Sequence, residues 1–196
     1  LNNDKKSKTE KESQESNNSS EVVLSGVSGD SKKQSKIYYN NKDFKWLSKG
    51  HLAKPFTFNN RLYNTVEHAF QAQKVDINNG DEKNLEYQDL FTADSNTYIG
   101  NKASDALSKG SDKNIKSMGL KLRDNWEDLK LEIMRSIMKE YYESNPLLKE
   151  KLVNTGVSIL INKGGKVDKC WGVDRNGDGE NNHGKILMEL RNTFKK

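Results

Sequence analysis

Cys170-Trp171-Gly172-Val173-Asp174-Arg175-Asn176-Gly177-Asp178-Gly179-Glu180-Asn181-Asn182-His183-Gly184 runs directly into Lys185-Ile186-Leu187-Met188-Glu189-Leu190-Arg191. Asp174, Asn176, Asp178 and Gly179 match the first half of a helix–loop–helix calcium loop, which would make the fold an EF-hand. The twelfth position of that loop needs a bidentate Glu, and here it is Lys185. Upstream, Val157-Ser158-Ile159-Leu160-Ile161 has the composition of a strand where an EF-hand needs its entering helix. No metal is therefore assigned. What remains is a glycine- and asparagine-rich loop that opens an amphipathic helix. Glycine permits positive φ and close backbone approach, and a helix start offers unpaired N–H groups. Such a loop can seat a phosphate or a sugar, although a solvated turn has the same composition.

Outward from the loop, helical and extended patterns alternate. Ile37-Tyr38-Tyr39 reads as a short strand, and Pro55-Phe56-Thr57-Phe58 as a second that turns through Asn59-Asn60-Arg61 into Leu62-Tyr63, a hairpin. Asn64 or Thr65 then caps a helix from about Val66 to Lys74. With Asn64 as the cap, Glu67 takes the capping-box position, where glutamine would serve folding equally well. Short helices are expected over Leu85 to Phe91 and Lys102 to Lys109. Trp126, Leu129, Ile133, Met134, Ile137 and Tyr141 recur at helical spacing and define the longest helix. Asn145-Pro146 opens another that ends at Thr155-Gly156. The strand through Val157 to Ile161, a Gly164-Gly165 turn and the final helix follow. The fold class is α+β, mainly α, in a single domain with short strands.

Composition divides the chain. The whole has 196 residues, 31% charged and 32% hydrophobic, with a mean hydropathy of -0.98. Residues 1–36 are dense in Lys, Ser, Asn and Glu and, apart from Val22-Val23-Leu24, nearly empty of large apolar side chains. Such a segment cannot offset its ordering entropy and reads as a disordered arm. Residues 37–196 hold every Trp, Tyr and Phe and are long enough for one domain with a core. A single cysteine excludes an internal disulfide framework and a Cys-rich zinc site. The histidines, His51, His68 and His183, are far apart, and His183 reads as a cap or surface residue. No run reaches the length of a membrane span, so no membrane partner is expected. The expected state is a monomer. The expected location is cytoplasmic, with a removed targeting segment left open because the first residue is Leu1. The net charge of +5 sets 33 basic against 28 acidic residues. That is too balanced for a dedicated duplex-DNA binder but tolerates a phosphate-bearing ligand.

Glu67, Gln71 and Lys74 fall at i, i+4 and i+7, on one face of their helix, with Val66, Ala69, Phe70 and Gln73 on the other. Periodicity alone makes this a solvated face with Glu67 paired to Gln71. The functional alternative turns the polar cluster inward onto a ligand. Trp126, after Arg123-Asp124-Asn125, either stacks on a base or continues the helix stripe. Trp171 before Gly172 favours a pocket wall.

Taken together, Tyr63-Asn64-Thr65-Val66-Glu67-His68-Ala69-Phe70-Gln71-Ala72-Gln73-Lys74, Leu122-Arg123-Asp124-Asn125-Trp126-Glu127 with Lys130 and Met134, Thr155-Gly156, and the tryptophan-glycine loop through Leu187-Met188-Glu189-Leu190-Arg191 resemble the NADAR family, named for NAD and ADP-ribose association. The resemblance covers about residues 37 to 194, in the family's order. It implies a compact, mostly helical N-glycosidase that works on phosphorylated ribosyl compounds without a metal or other cofactor. The implied partner is a phosphoribosyl or ADP-ribose-like small molecule. Two substrates fit: ADP-ribose on guanine, including ADP-ribosylated nucleic acid, and aminouracil ribosides of the riboflavin pathway. Lys109, Lys113, Lys116 and Lys121, in a lengthened segment, could serve a second phosphate and tilt the reading toward ADP-ribose. A binding module without turnover is the rival class.

By motif match, the resemblance implies Glu67 as catalytic carboxylate, with Lys74 (nucleophile or charge partner) and Asp174 as further catalytic candidates. It assigns His68, Gln71, Arg123, Asn125, Trp126, Trp171, Gly172 and Asn181 to substrate binding. The chain also departs from the family. Leu47-Ser48-Lys49-Gly50 stands where members have Leu-Ser-Asn-Phe, with one extra residue before Pro55-Phe56, so no ligand contact is assigned to that loop. The family's Gly-Arg ahead of the tryptophan block has no clean counterpart, Ser108-Lys109 and Gly119 being alternative alignments. His183 replaces a leucine.

Overall fold

Thr65 starts a segment against which three other helices and one strand pack. Its side chain accepts from the His68 N–H and caps α1 (Val66–Ala72), every residue of which is buried. Since Thr65 and not Asn64 is the cap, Glu67 is outside the capping-box position. Its own N–H instead donates to the carbonyl of Lys49, at 2.9 Å.

The computed structural model describes residues 34–39, 41–76, 81–164 and 168–196. Nearly all of the arm expected over 1–36 lies outside these residues, as does part of the Gly164-Gly165 turn. Gln34 to Lys196 form one compact unit. Lys36 already belongs to β1 (Lys36–Tyr38), which pairs in parallel with β4 (Ile159–Ile161), Ile37 opposite Leu160. A 3-10 turn over Lys42–Leu47 leads to the hairpin β2 (Phe56–Phe58) and β3 (Arg61–Tyr63), with Phe56 opposite Tyr63. Asn59 and Asn60 both adopt positive φ, 47° and 61°, the requirement of a two-residue hairpin turn.

After α1 come α2 (Glu82–Asp89), α3 (Ala103–Lys109) and α4 (Asp112–Ser117), the last capped by Ser111 and absent from the sequence reading. The long helix is α5 (Trp126–Glu143), which buries Trp126, Met134, Ile137, Met138, Tyr141 and Tyr142. Leu129, expected in this stripe, is 40% exposed. Next, α6 (Pro146–Asn154) turns back and α7 (Asn182–Phe194) packs over it and β4. Gly184 permits that contact, since a Cβ there would come within 2.2 Å of the Leu160 carbonyl. Arg191 holds the same corner by donating to Thr155 and to the Ser158 carbonyl. The result is the expected mainly helical α+β unit, with α1 between α5, α3, α2 and β3.

Candidate active site

The buried polar residues of α1 separate into two sides. On one, His68 is fully buried, with Nδ1 at 2.7 Å from the Thr65 hydroxyl and Nε2 at 2.8 Å from the Gly100 carbonyl. Burial lowers its pKa. With both ring nitrogens engaged, His68 anchors the helix start and has no nitrogen left for a ligand.

On the other side, Glu67 is 2% exposed. Gln71 Nε2 donates to its Oε1 at 2.7 Å, and the Lys49 ammonium lies 3.1 Å from its Oε2. The polar face that periodicity assigned to solvent is thus turned inward. Lys49 also stands 5.2 Å from the Trp171 ring centroid and 5.7 Å from that of Phe70. Phe70 packs in turn against both indoles, with centroids 5.1 Å from Trp126 and 5.2 Å from Trp171. Three aromatic rings therefore meet beside one buried ion pair.

These groups face a cavity of about 210 Å³ lined by Lys49, Phe70, Gln71, Lys74, Trp126, Lys130 and Trp171, with Leu107, Asp112, Glu127 and Asp168 around it. Lys74 Nζ donates to the Gly110 carbonyl at 2.7 Å and lies 3.9 Å from Asp112. Burial lowers its pKa, with Asp112 and Glu67 opposing that shift. Lys130 is held by Glu127, whose hydrogen bond raises its pKa. The side-chain oxygen of Gln71 is buried without a partner. Gly110 leaves room for this side chain, because a Cβ there would meet Gln71 Oε1 at 2.1 Å. Roomier hollows, of about 640, 700 and 590 Å³, lie elsewhere. None of them joins aromatic walls to several cations, and the smaller cavity is the chemically competent one.

Of the sequence candidates, Gln71, Lys74, Trp126 and Trp171 line this cavity, and Glu67 sits directly behind Lys49 and Gln71. The others do not reach it. Arg123 lines the separate hollow of about 590 Å³ and lies 3.5 Å from Asp76. Asn125 takes φ 58° at the N-cap of α5 and makes no side-chain capping bond. Asn181 spends its side-chain amide on β4, donating to the Leu160 carbonyl and accepting from the Asn162 N–H. Gly172 is buried below the loop, where Gly179, at φ 146°, approaches its carbonyl. Asp174 accepts from the N–H groups of Asn176 and Asp178 and pairs with Lys169 at 3.1 Å. Those backbone bonds, with Lys169, lower its pKa. It closes its own turn and presents no carboxylate to the cavity. His183, expected at a cap or on the surface, lies inside α7 at 2% exposure, 2.7 Å from the Tyr39 hydroxyl. Lys109, Lys113, Lys116 and Lys121 are exposed and absent from the lining.

Sequence reasoning missed Lys49, Phe70, Leu107, Asp112, Glu127, Lys130 and Asp168. Lys130, i+4 from Trp126, was within reach of periodicity, whereas Phe70, assigned to the face opposite Glu67, Gln71 and Lys74, lines the same cavity as Gln71 and Lys74. Lys49 was set aside because its loop departs from the family pattern. Among the described residues, no group of three or more His, Cys, Asp or Glu could hold a metal, and no helix is long and apolar enough to cross a membrane.

A cation-lined, aromatic-walled cavity on a mainly helical α+β scaffold has the groups to take a planar, anionic small molecule. The chain belongs to the NADAR domain family, whose pattern it matches over residues 30–195. It is 31% identical to the N-glycosidase YbiA of Shigella flexneri over 139 residues, 71% of this chain and 75% of that one. A riboflavin biosynthesis protein of Arabidopsis thaliana is 36% identical over 73 residues, 37% of this chain but 12% of that much longer protein. The NMR structure of the Escherichia coli protein YbiA superposes with a TM-score of 0.64 at 27% identity, covering 83% of this chain and 86% of that one.

Proposed function

We propose that this protein is an N-glycosidase that hydrolyses the bond between C1′ of a phosphorylated ribose and a planar base. The observation that carries the reading is the convergence of Lys49, Lys74 and Lys130 with Phe70, Trp126 and Trp171 on one cavity, with Glu67 behind it. The names of its relatives, N-glycosidases and riboflavin biosynthesis proteins, support the same chemistry. Aromatic faces hold the base by stacking, and the Lys74 and Lys130 ammonium groups hold the phosphate. As the C1′–N bond breaks, its electron pair leaves on the base and positive charge develops on the ribose. Water adds at C1′, and the proton it releases ends on the base. The buried Glu67 carboxylate, bonded to Gln71 and paired with Lys49, holds both of those groups at the cavity wall. Asp174, whose oxygens bond the Asn176 and Asp178 N–H groups and Lys169, is given no part in this reading.

Between the two substrates, the compact cavity favours the smaller aminouracil riboside 5′-phosphate. ADP-ribose adds an adenosine and a second phosphate, and the lysines expected to serve them lie outside the lining. Incubation with the aminouracil riboside 5′-phosphate, with its dephosphorylated form and with ADP-ribosylated guanosine tests the order. Release of free base is expected to be fastest from the first. Faster release from ADP-ribosylated guanosine would reverse the assignment. Tight binding of all three with no release over hours would make the protein a binding module.

A further inference from the structure

Glu67, the carboxylate to which sequence reasoning gave the catalytic charge, does not itself line the cavity; Lys49 does. Both carboxylate oxygens are taken, Oε1 by Gln71 and Oε2 by Lys49. The Lys49 loop is also pinned to α1 by the Glu67 N–H to the Lys49 carbonyl. Backbone and side chain of residue 67 thus hold residue 49 at two points. The Lys49 ammonium is fixed beside the faces of Phe70 and Trp171, where a stacked base would lie. An aromatic face attracts a cation and disfavours an anion, so the phosphate belongs farther off, toward Lys74 and Lys130.

We infer that Lys49 contacts the leaving base, donating a hydrogen bond to the carbonyl or ring atom that gains negative charge as the C1′–N bond breaks, and that Glu67 is its positioning residue. The inference rests on the N-glycosidase reading and deepens it. When the bond's electron pair moves onto the base, the ammonium stabilises the anion, and the base then takes its proton from the attacking water. A donor preset by its ion pair with Glu67 needs no reorganisation at that moment.

The test compares Lys49→Met with the wild type on two leaving groups, the aminouracil of the riboside 5′-phosphate and the 4-nitrophenolate of 4-nitrophenyl ribofuranoside 5-phosphate. Nitrophenolate leaves without assistance. Lys49→Met is expected to lower kcat on the aminouracil riboside on the order of a hundredfold, the scale of one lost transition-state donor. Its kcat on the nitrophenyl compound should fall at least about tenfold less, because a leaving group that needs no stabilisation gains none from Lys49. Lys49→Arg, which keeps the charge, is expected to recover part of the first loss. Equal losses on both leaving groups would overturn the inference. If Lys49→Met does not fold, Lys49→Gln carries the comparison with the same two outcomes.

Binding separates this inference from the reading beneath it. Calorimetry with free 5,6-diaminouracil should show weaker binding in Lys49→Met, while ribose 5-phosphate binds as to the wild type. Weakening of ribose 5-phosphate alone would place Lys49 on the phosphate and refute the base contact. A wild type that binds the base through Lys49 but cleaves no riboside would refute the glycosidase reading and leave the contact standing.

Discussion

Replacing Glu67 by Gln is expected to weaken both folding and turnover. A capping-box role would have made the change harmless to folding, but the structure gives Glu67 a different one. Its carboxylate, 2% exposed, accepts from the Gln71 amide at 2.7 Å and faces the Lys49 ammonium at 3.1 Å. Each is a charge-assisted hydrogen bond, of about 1.5–3 kcal/mol net. Glutamine keeps the shape but leaves Lys49, whose side chain is 16% exposed, without its counter-charge. The two effects overlap, and a loss of about 3 kcal/mol is expected, near the low end for breaking a buried pair. In a domain of this size, that lowers Tm by roughly 6–12 °C. Urea unfolding of the wild type, Glu67→Gln, Lys49→Met and the double variant gives the coupling energy directly. A value of about 1.5–3 kcal/mol is expected, against about 0–1 for an exposed pair. Coupling below about 0.5 kcal/mol would refute the claim that the pair is a preset unit.

Gly184→Ala, which in an ordinary helix would stabilise by up to about 1 kcal/mol, should instead destabilise in thermal melts. The added Cβ would collide with the Leu160 carbonyl, at 2.2 Å. His183 should make folding sensitive to acid: burial pushes its pKa down to about 3, so below about pH 6.5 the unfolded chain binds a proton that the folded one refuses. Stability should fall as pH drops from about 6.5 toward 3, by up to about 1.4 kcal/mol per unit for this group. His183→Gln, which can still bond the Tyr39 hydroxyl, should flatten the urea-derived slope. Trp171→Ala should raise KM by roughly five- to 150-fold, from a stacking loss of about 1–3 kcal/mol. Trp126→Ala and Trp171→Ala should each also lose about 3 kcal/mol or more of stability, because both indoles are buried and pack against Phe70.

The elements were legible wherever a local rule fixes them. Asn59-Asn60 announces a hairpin, Asn145-Pro146 a helix start, and the 126–141 stripe a core helix. The pairing of β1 with β4 was not, because residues 36–38 and 159–161 meet through contacts distant in sequence. In the site, the periodicity of α1 grouped Glu67 with Gln71, which share a hydrogen bond, but put their face in solvent and Phe70 on the opposite one. That rule assumes polar groups seek water, and here Lys49 and Gly110 supply partners from other loops. Asn181 and Asp174 carried chemistry-bearing side chains that the backbone of their own region had already claimed. Nothing in the residue types distinguishes a free carboxamide from one bonded across to a strand. Lys49 was hidden for the opposite reason: its loop looked altered, and only tertiary packing places its ammonium between a carboxylate and two aromatic rings.

Product analysis tests the central claim most directly. The protein, incubated with the aminouracil riboside 5′-phosphate, can be followed by proton NMR through the anomeric signal together with chromatography of the base. The account predicts stoichiometric appearance of free base and ribose 5-phosphate, slowed on the order of a hundredfold by Lys49→Met. An intact riboside after prolonged incubation with folded protein, or loss of the phosphate with the C1′–N bond unbroken, would contradict it.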